Sequence, residues 1–371
     1  MTRFYTPEAL SRIRKTGSRF LFAAAALAAA VLAGCILLSA GCSLKSQLDT
    51  DGTAIRFTAG SVLLRDDATK GGELKTGTEF AKGDKFRVWA WHSAVQQHLT
   101  FGTSQLVTLQ NGVWDYAPHL FWNWQEGSDY YDFLAVYPDV QDFKHPVPVS
   151  PRYDLITNVP YNAAGSQYDL MAAGRRRTEH ITTTVPLEFQ HLLSAVSVKV
   201  KNASGSVDEN GDPVSITLKT CGFVNLVTSA PMQIIFNGVE LSSTPGTGVR
   251  TNSVALGPGI PANTKLDPGN SYPTTVQWDI MIPQDLDTEH IGSVSPYLHI
   301  VYTKGTGTEE KEIDLPLKDI LDSSTQQAIT SWKSGVKYLY EIEIKLGGGI
   351  LVNVKTTPWE IVEAETPGLM I

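Results

Sequence analysis

The side chains best equipped for recognition chemistry in this chain are indoles. Trp89, Trp91, Trp114, Trp122 and Trp124 crowd one stretch, and indole faces stack on sugar rings, so they outline a candidate glycan platform. The same residues also bury the most area per side chain in a strand-rich core. A second candidate is Asp208-Glu209-Asn210-Gly211-Asp212-Pro213, which opens with oxygen ligands at alternate positions, like a calcium loop. Its sixth place holds Pro213 where the loop requires glycine, and no acidic twelfth ligand follows. Asn210-Gly211 therefore reads as a hairpin turn. The eight histidines are dispersed, with neither His-Glu-x-x-His nor a Cys/His ligand set, so no zinc site is expected. His191, beside Phe189 at a strand start, reads as a packed, hydrogen-bonded histidine. No Gly-x-Ser-x-Gly elbow or phosphate loop occurs, and nothing nominates a carboxylate pair for glycosidase work. The expectation is a protein that is not an enzyme and needs no cofactor.

Composition narrows the class further. A chain of 371 residues is long enough for two core-bearing domains. With 42% hydrophobic and 18% charged residues it has ordinary globular composition. Its formal net charge of −8 and the lack of a basic stripe argue against nucleic acid as a partner. Two of the three cysteines lie near the amino terminus. Cys221 alone cannot bridge internally, and reads as a small buried hydrophobe.

The amino terminus carries an address. Arg3, Arg12, Arg14, Lys15 and Arg19 precede an apolar run from Phe20 to Leu38, the pattern of a secretory signal. A membrane span is the competing reading of that run. Against it stand Leu32-Ala33-Gly34-Cys35 and Leu38-Ser39-Ala40-Gly41-Cys42, both of which resemble bacterial lipoprotein cleavage boxes. Cys35 has Leu three residues before it and matches the box better. Cys42 leaves a polar start, Ser43 to Gln47, and is favoured as the lipidated residue. Either cysteine tethers the mature protein to a bilayer by acyl chains rather than by a helix.

Beyond the leader, alternation at period two dominates. Tyr338, Tyr340, Ile342, Ile344 and Leu346 share one face of a strand, with Leu339, Glu341, Glu343 and Lys345 on the other. Gly347-Gly348-Gly349 turns the chain into a partner carrying Ile350, Val352 and Val354, which should end before Trp359 because Pro358 has no N–H to donate. Earlier, Phe86, Val88 and Ala90 oppose Arg87, Trp89 and Trp91. Asn111-Gly112 marks a hairpin, and the run from Tyr130 to Tyr137 stops at Pro138. Further strands are expected near 195–200, 214–218, 232–236, 275–282, 297–303 and 312–317. No stretch sustains a capped 3.6 period, so helix content should be low. Between Met171 and Thr184 the pattern lapses, and Gly174-Arg175-Arg176-Arg177-Thr178-Glu179 reads as a solvated connector. The expected organisation is all-β, with a signal peptide over 1–41, a polar tether over 42–52, and β-sandwich domains over 53–178 and 179–371.

An ordered set of motifs carries a resemblance. It runs from Ile55-Arg56-Phe57 through Trp114-Asp115-Tyr116-Ala117-Pro118 with Phe121-Trp122, the 131–138 strand ending in Tyr-Pro, and Asp169-Leu170-Met171-Ala172. It continues with Phe189-Gln190-His191-Leu192-Leu193-Ser194, Trp332-x-x-Gly335-x-x-Tyr338-x-Tyr340 and Pro358-Trp359. In that order the chain resembles the fimbrillin-like (type V pilin) lipoproteins of Bacteroidales over essentially its whole mature length. The resemblance implies two tandem transthyretin-like, Greek-key β-sandwich domains. It implies a structural fimbrial subunit or accessory adhesin, lipid-anchored at the outer membrane on the cell surface. Its partners are then other fimbrial subunits, with a host protein or glycan as receptor. It also implies assembly by strand donation, after an arginine-specific protease removes a first strand that covers a sheet edge. Here that strand matches the segment from Ile55 to Leu64, with Ile55, Phe57, Val62 and Leu64 as its apolar residues. Arg65 is the matching scissile position, with Arg56 and Lys70 as alternatives. The tail after Trp359 is short and interrupted by Pro367-Gly368, which leaves stalk, tip and anchor roles open.

Overall fold

The alternation read from the sequence resolves into strands in a computed structural model. It describes residues 54–61, 80–94, 97–98, 104–124, 129–140, 155–165, 167–178, 184–203, 205–251, 260–273, 277–287, 295–346 and 349–359. In chain order the strands are β1 (Phe57–Ser61), β2 (Lys85–His92), β3 (Gln97–His98), β4 (Gln105–Gln110), β5 (Val113–Asp115), β6 (Tyr131–Tyr137), β7 (Leu155–Asn162) and β8 (Met171–Arg177). Then come β9 (Val185–His191), β10 (Ser194–Asn202), β11 (Ile216–Val224), β12 (Leu226–Phe236), β13 (Leu241–Pro245), β14 (Val249–Thr251), β15 (Thr264–Leu266) and β16 (Asp279–Met281). The last are β17 (Gln284–Asp285), β18 (Tyr297–Lys304), β19 (Glu310–Pro316), β20 (Ser331–Trp332), β21 (Val336–Lys345) and β22 (Gly349–Pro358). Among the described residues the only helical element is a 3-10 turn, Leu317–Asp319. The fold is all-β, as expected, and the described chain from Ile55 onward, Thr184 aside, is one unit.

Seven strands close on themselves. β2 pairs with β4, β4 with β5, β5 with β1, β1 with β9, β9 with β8, β8 with β6, and β6 returns to β2. Only the β1–β9 contact in this ring is parallel. Phe86, Val88, Ala90, Phe133, Ala135, Leu187 and Phe189 fill one apolar cluster with Phe57. The alternate residues Trp89, Trp91, Leu134 and Val136 enter a second. Strands β2 and β6 are thus buried on both faces, which is why 131–137 reads as a nearly continuous apolar run.

The other large element is a sandwich. One sheet runs β16-β10-β21-β22 and the other β15-β11-β18-β19. Val196, Val198, Val200, Tyr340, Ile342 and Ile344 share a core with Ile216, Leu218, Phe223, Leu298 and Ile300. Phe223 meets the rings of Trp332 and Tyr340 edge-on, at 5.4 and 5.1 Å. The Trp332 Nε1–H donates to the Tyr340 hydroxyl at 2.9 Å, satisfying a polar atom that burial would otherwise leave bare. Tyr338 through Leu346 bury the expected face, and β22 ends at Pro358. Cys221 is a buried free thiol, pushed by that burial up to about 12.

Two sequence expectations need correction. The presumed connector at 174–177 is part of β8, paired with β6 along its whole length. Its arginines look solvated in sequence, but Arg176 is forked onto the buried Asp132 carboxylate at 2.7 and 2.6 Å and lies 4.1 Å over the Tyr130 ring. Bidentate pairing of this kind lets a charged residue occupy an interior strand. Strand β7, in turn, has no counterpart among the expected strands. Its Leu155, Thr157, Val159 and Tyr161 alternate inward, although Pro160, with no N–H to donate, is unusual inside a strand. Pro160 sits opposite Pro231, where β12 changes partner from β14 to β13, and β7 is paired on one side only. These pairings also cross the expected division at 178/179, since β7 joins β12 while β9 joins β1 and β8.

Gly174 on β8 packs directly against Phe236 on β12. A methyl group there would lie 2.2 Å from Cδ2 of the buried Phe236 ring on β12. Replacing Gly174 with Ala is therefore expected to lower unfolding free energy by ~1–3 kcal/mol, the usual cost of overpacking a filled core. Chemical denaturation checks this, and Phe236→Leu in the same chain should recover part of the loss. A neutral Gly174→Ala change would mean that the ring has room to move.

Candidate functional site

The site is the first strand and the groove that holds it. Ile55 and Phe57 are 0% and 4% exposed. The Phe57 ring packs against Tyr116, Phe133 and Phe86 at centroid distances of 5.8, 5.8 and 6.3 Å. Strand β1 runs in register beside β9 over five residue pairs, from Phe57 with Val185 to Ser61 with Phe189. Toward β5 it makes a single pair, Phe57 with Trp114. The first strand is thus not a sheet edge. It is the piece that joins β5 to β9 and closes the ring. Apolar side chains at 55 and 57 point inward because alternate residues of a strand share a face.

Backbone and side-chain hydrogen bonds complete the seat. The Ile55 N–H donates to the Leu120 carbonyl at 2.8 Å, and the Val185 N–H to the Arg56 carbonyl at 2.8 Å. The Tyr116 hydroxyl donates to the Ile55 carbonyl at 2.8 Å and accepts from the Leu120 N–H at 3.2 Å. Burial pushes that phenol up to about 12, so it stays a neutral donor. Arg56 Nη1 lies 2.8 Å from Asp115 Oδ1 and 3.1 Å from His119 Nε2, which itself sits 2.9 Å from Asp115. Burial works to raise the Asp115 carboxyl. The His119 hydrogen bond, the Tyr116 amide and the charges of His119 and Arg56 outweigh it and hold the group below its ordinary value. Tyr116, His119 and Leu120 were not singled out from sequence. Their only signal was membership in, or adjacency to, the Trp114-to-Pro118 motif.

The remaining candidate residues fall as follows. Arg56 is locked in this network, with its carbonyl bonded to β9. Val62, Leu64, Arg65, Lys70, Cys35 and Cys42 lie outside the described residues, as does the tail beyond Trp359. The tryptophans do not form one platform. Trp89, Trp91, Trp114 and Trp122 are all buried, the first two in one core cluster and the last two in the other. Trp124, half-buried, stacks parallel on Trp122 at 5.3 Å. Asp208 caps a tight turn, accepting from the Asn210 and Asp212 amides at 2.8 and 3.0 Å, while Val207 and Pro213 pair across it. That is the hairpin read from Asn210-Gly211. His191 is buried, with Nδ1 2.8 Å from Asp169 Oδ1 and its ring stacked on Trp359 at 4.5 Å, a packed histidine as expected. A second buried pair, His92 with Asp129 at 2.8 Å, escaped the sequence reading because its members are far apart in the chain.

Comparison with known proteins adds to this geometry. A family model described as fimbrillin-like matches residues 74–359. No curated protein matches the chain. Among solved structures, a fimbrial protein from Bacteroides vulgatus is similar at 14% identity and a TM-score of 0.48, covering 83% of this chain and 99% of that one. A candidate cell adhesion protein from Bacteroides uniformis is similar at 17% identity and a TM-score of 0.43, with the same shares of 83% and 99%. A candidate cell adhesion protein from Parabacteroides distasonis is similar at 9% identity and a TM-score of 0.45, covering 84% and 99%.

Proposed function

Since the chain belongs to the fimbrillin-like family, we propose that it is a structural subunit or accessory adhesin of a surface fimbrium, without catalytic activity. In this reading it is exported as a lipoprotein, anchored to the outer membrane through Cys42 or Cys35, and joined to other subunits by strand exchange after proteolysis. The observation that carries the reading is the placement of β1. Among the described strands it alone links β5 to β9, and residues 62–84 lie between it and β2. Cutting in that interval frees β1 without severing any other described strand. Removing it leaves two unpaired strand edges and the apolar seat of Phe57, a groove that a donated strand from another subunit satisfies. Arg65 is the proposed scissile residue and Lys70 the alternative. Arg56 is the poorest substrate, because its carbonyl and guanidinium are both engaged inside the fold.

Digestion of the purified precursor with an arginine-specific protease tests this. Amino-terminal sequencing should find a new start at residue 66, and the product should form a ladder of oligomers on gels. A precursor that resists cleavage, or that stays monomeric after losing the fragment, argues for a surface protein that does not polymerise in this way.

A further inference from the structure

On the outer face of the β18–β19 hairpin, three side chains converge with no role in the strand-exchange site. His299 on β18 stands directly across from Asp314 on β19, and Glu312 lies two residues along on the same face. Their ligand atoms all lie within 4.8 Å of one another. His299 Nδ1 is 2.7 Å from Asp314 Oδ1 and 3.8 Å from Glu312 Oε1. Two carboxylates thus aim at one ring nitrogen, which carries at most one proton. The shorter contact is a hydrogen bond, and the longer exceeds hydrogen-bond distance.

From this geometry we propose that His299, Glu312 and Asp314 form a surface site for a divalent transition-metal cation, with zinc the best fit. Ligand atoms ~2.1 Å from a tetrahedral ion sit roughly 3.4 Å apart. The two observed separations straddle that value, so the 2.7 Å contact opens and the 3.8 Å contact closes by several tenths of an ångström. One imidazole and two carboxylates are a borderline donor set that suits zinc better than calcium, which takes six or more oxygens. The three ligands project from paired strands rather than from a loop, which fixes their spacing. β18 is flanked by β11 as well as β19, and the residue across from His299 on β11 is Gly222, which has no side chain to cover the ring.

Charge points the same way. Among the described residues, no lysine or arginine pairs with Glu312 or Asp314. Lys311 pairs with Glu309 and Lys318 with Asp287. The side chains of Glu312 and Asp314 are 69% and 51% exposed, against 16% for His299. The cation therefore enters from solvent, and its remaining position faces outward to water or to a ligand from another molecule. A cation takes the Nδ1 lone pair, and the single hydrogen of the neutral ring then sits on Nε2. The sequence did not announce the site because its ligands come from two strands at a spacing no short motif describes.

Calorimetric titration of the untagged mature protein with Zn2+ tests the proposal. The expected result is one saturable site. His299→Ala should weaken it by about tenfold or more, and Asp314→Asn and Glu312→Gln each several-fold. All three positions are on an outer face, and circular dichroism of each variant confirms folding. The His299 ring resonances should shift on titration with Zn2+. Saturation by Ca2+ with equal affinity, or Zn2+ binding that survives His299→Ala, would mark an ordinary acidic surface and overturn the assignment. So would the absence of saturable Zn2+ binding.

Discussion

Removing the first strand is expected to cost the folded chain several kcal/mol and to leave a groove that a peptide of residues 55–61 refills. Burying Ile55 and Phe57 contributes roughly 1.5–3 kcal/mol each. The hydrogen bonds at Ile55 and Arg56 add about 1 kcal/mol apiece. Because total stability for folded proteins is only ~5–15 kcal/mol, the loss should lower the midpoint of thermal unfolding by about 10 °C or more. The test is a chain cut at an engineered protease site within residues 66–70, unfolded, freed of its amino-terminal fragment and refolded. Without peptide it should melt early and associate in size-exclusion chromatography. With the peptide it should return to a monomer with most of its original midpoint. A peptide carrying Phe57→Ala should bind about a hundredfold more weakly, since such a truncation typically costs ~3 kcal/mol or more. If the stripped chain melts where the intact one does, β1 is an ornament of the ring and strand exchange has no driving force.

This result separates what the linear sequence discloses from what it conceals. Strands such as β2, β21 and β22 announce themselves because burial follows local alternation, and the Asn111-Gly112 hairpin because the turn needs two residues at positive φ, here 51° and 78°. Closure of the ring is different. Nothing in 57–61 or in 185–189 says that the two lie side by side and parallel, because pairing is decided by which apolar faces can be buried together. Strand β8 was hidden by its three arginines, whose fitness for a strand depends on Asp132, a residue far back in the chain. Strand β7 was hidden by Pro160, tolerated because of where its partner strand changes neighbours. Of the candidate site, Ile55 and Phe57 were legible from their motif. Their hydrogen-bonding clamp, Tyr116, was legible only as part of an aromatic cluster. The two spatial clusters built across strands, His92 with Asp129 and His299 with its carboxylates, were not legible at all.

Replacing Asp322 with Ala should cost about 3 kcal/mol, and the size of the loss should depend on pH. The residue is 2% exposed. Its Oδ1 accepts from the Ser324 and Thr325 amides, both at 2.9 Å, and from both of their hydroxyls, at 2.5 and 3.2 Å. Its Oδ2 accepts from the Thr356 amide at 3.3 Å and from the Thr356 hydroxyl. Burial works to raise this carboxyl, but the bonds from Ser324, Thr356 and Thr325 prevail and hold it far below the ordinary carboxylate range. A folded pKa depressed below the unfolded one means stabilisation that is complete above the unfolded value, near pH 4, and is lost as pH falls toward the folded value. The parent should therefore lose stability below about pH 4, and the gap between parent and variant should narrow there. Removing the acceptor leaves charge-assisted donors bare, which sets the estimated cost. The same turn also guards a sheet edge. The Ser323 N–H donates to the Val354 carbonyl at 2.7 Å and the Val354 N–H to the Leu321 carbonyl at 3.1 Å, so residues 321–323 cover β22 on its outer side. Loosening that cover exposes ladder groups of β22, and an uncovered edge invites pairing between copies. Denaturation curves at pH 7 and pH 3, together with size-exclusion profiles over a range of concentrations, should show both effects in Asp322→Ala. Thr356→Val, which removes one hydroxyl donor, should cost only about 1 kcal/mol and leave the protein monomeric. An Asp322→Ala protein with parental stability and an unchanged acid limb would show that the carboxylate merely decorates the turn and that β22 is protected by other means.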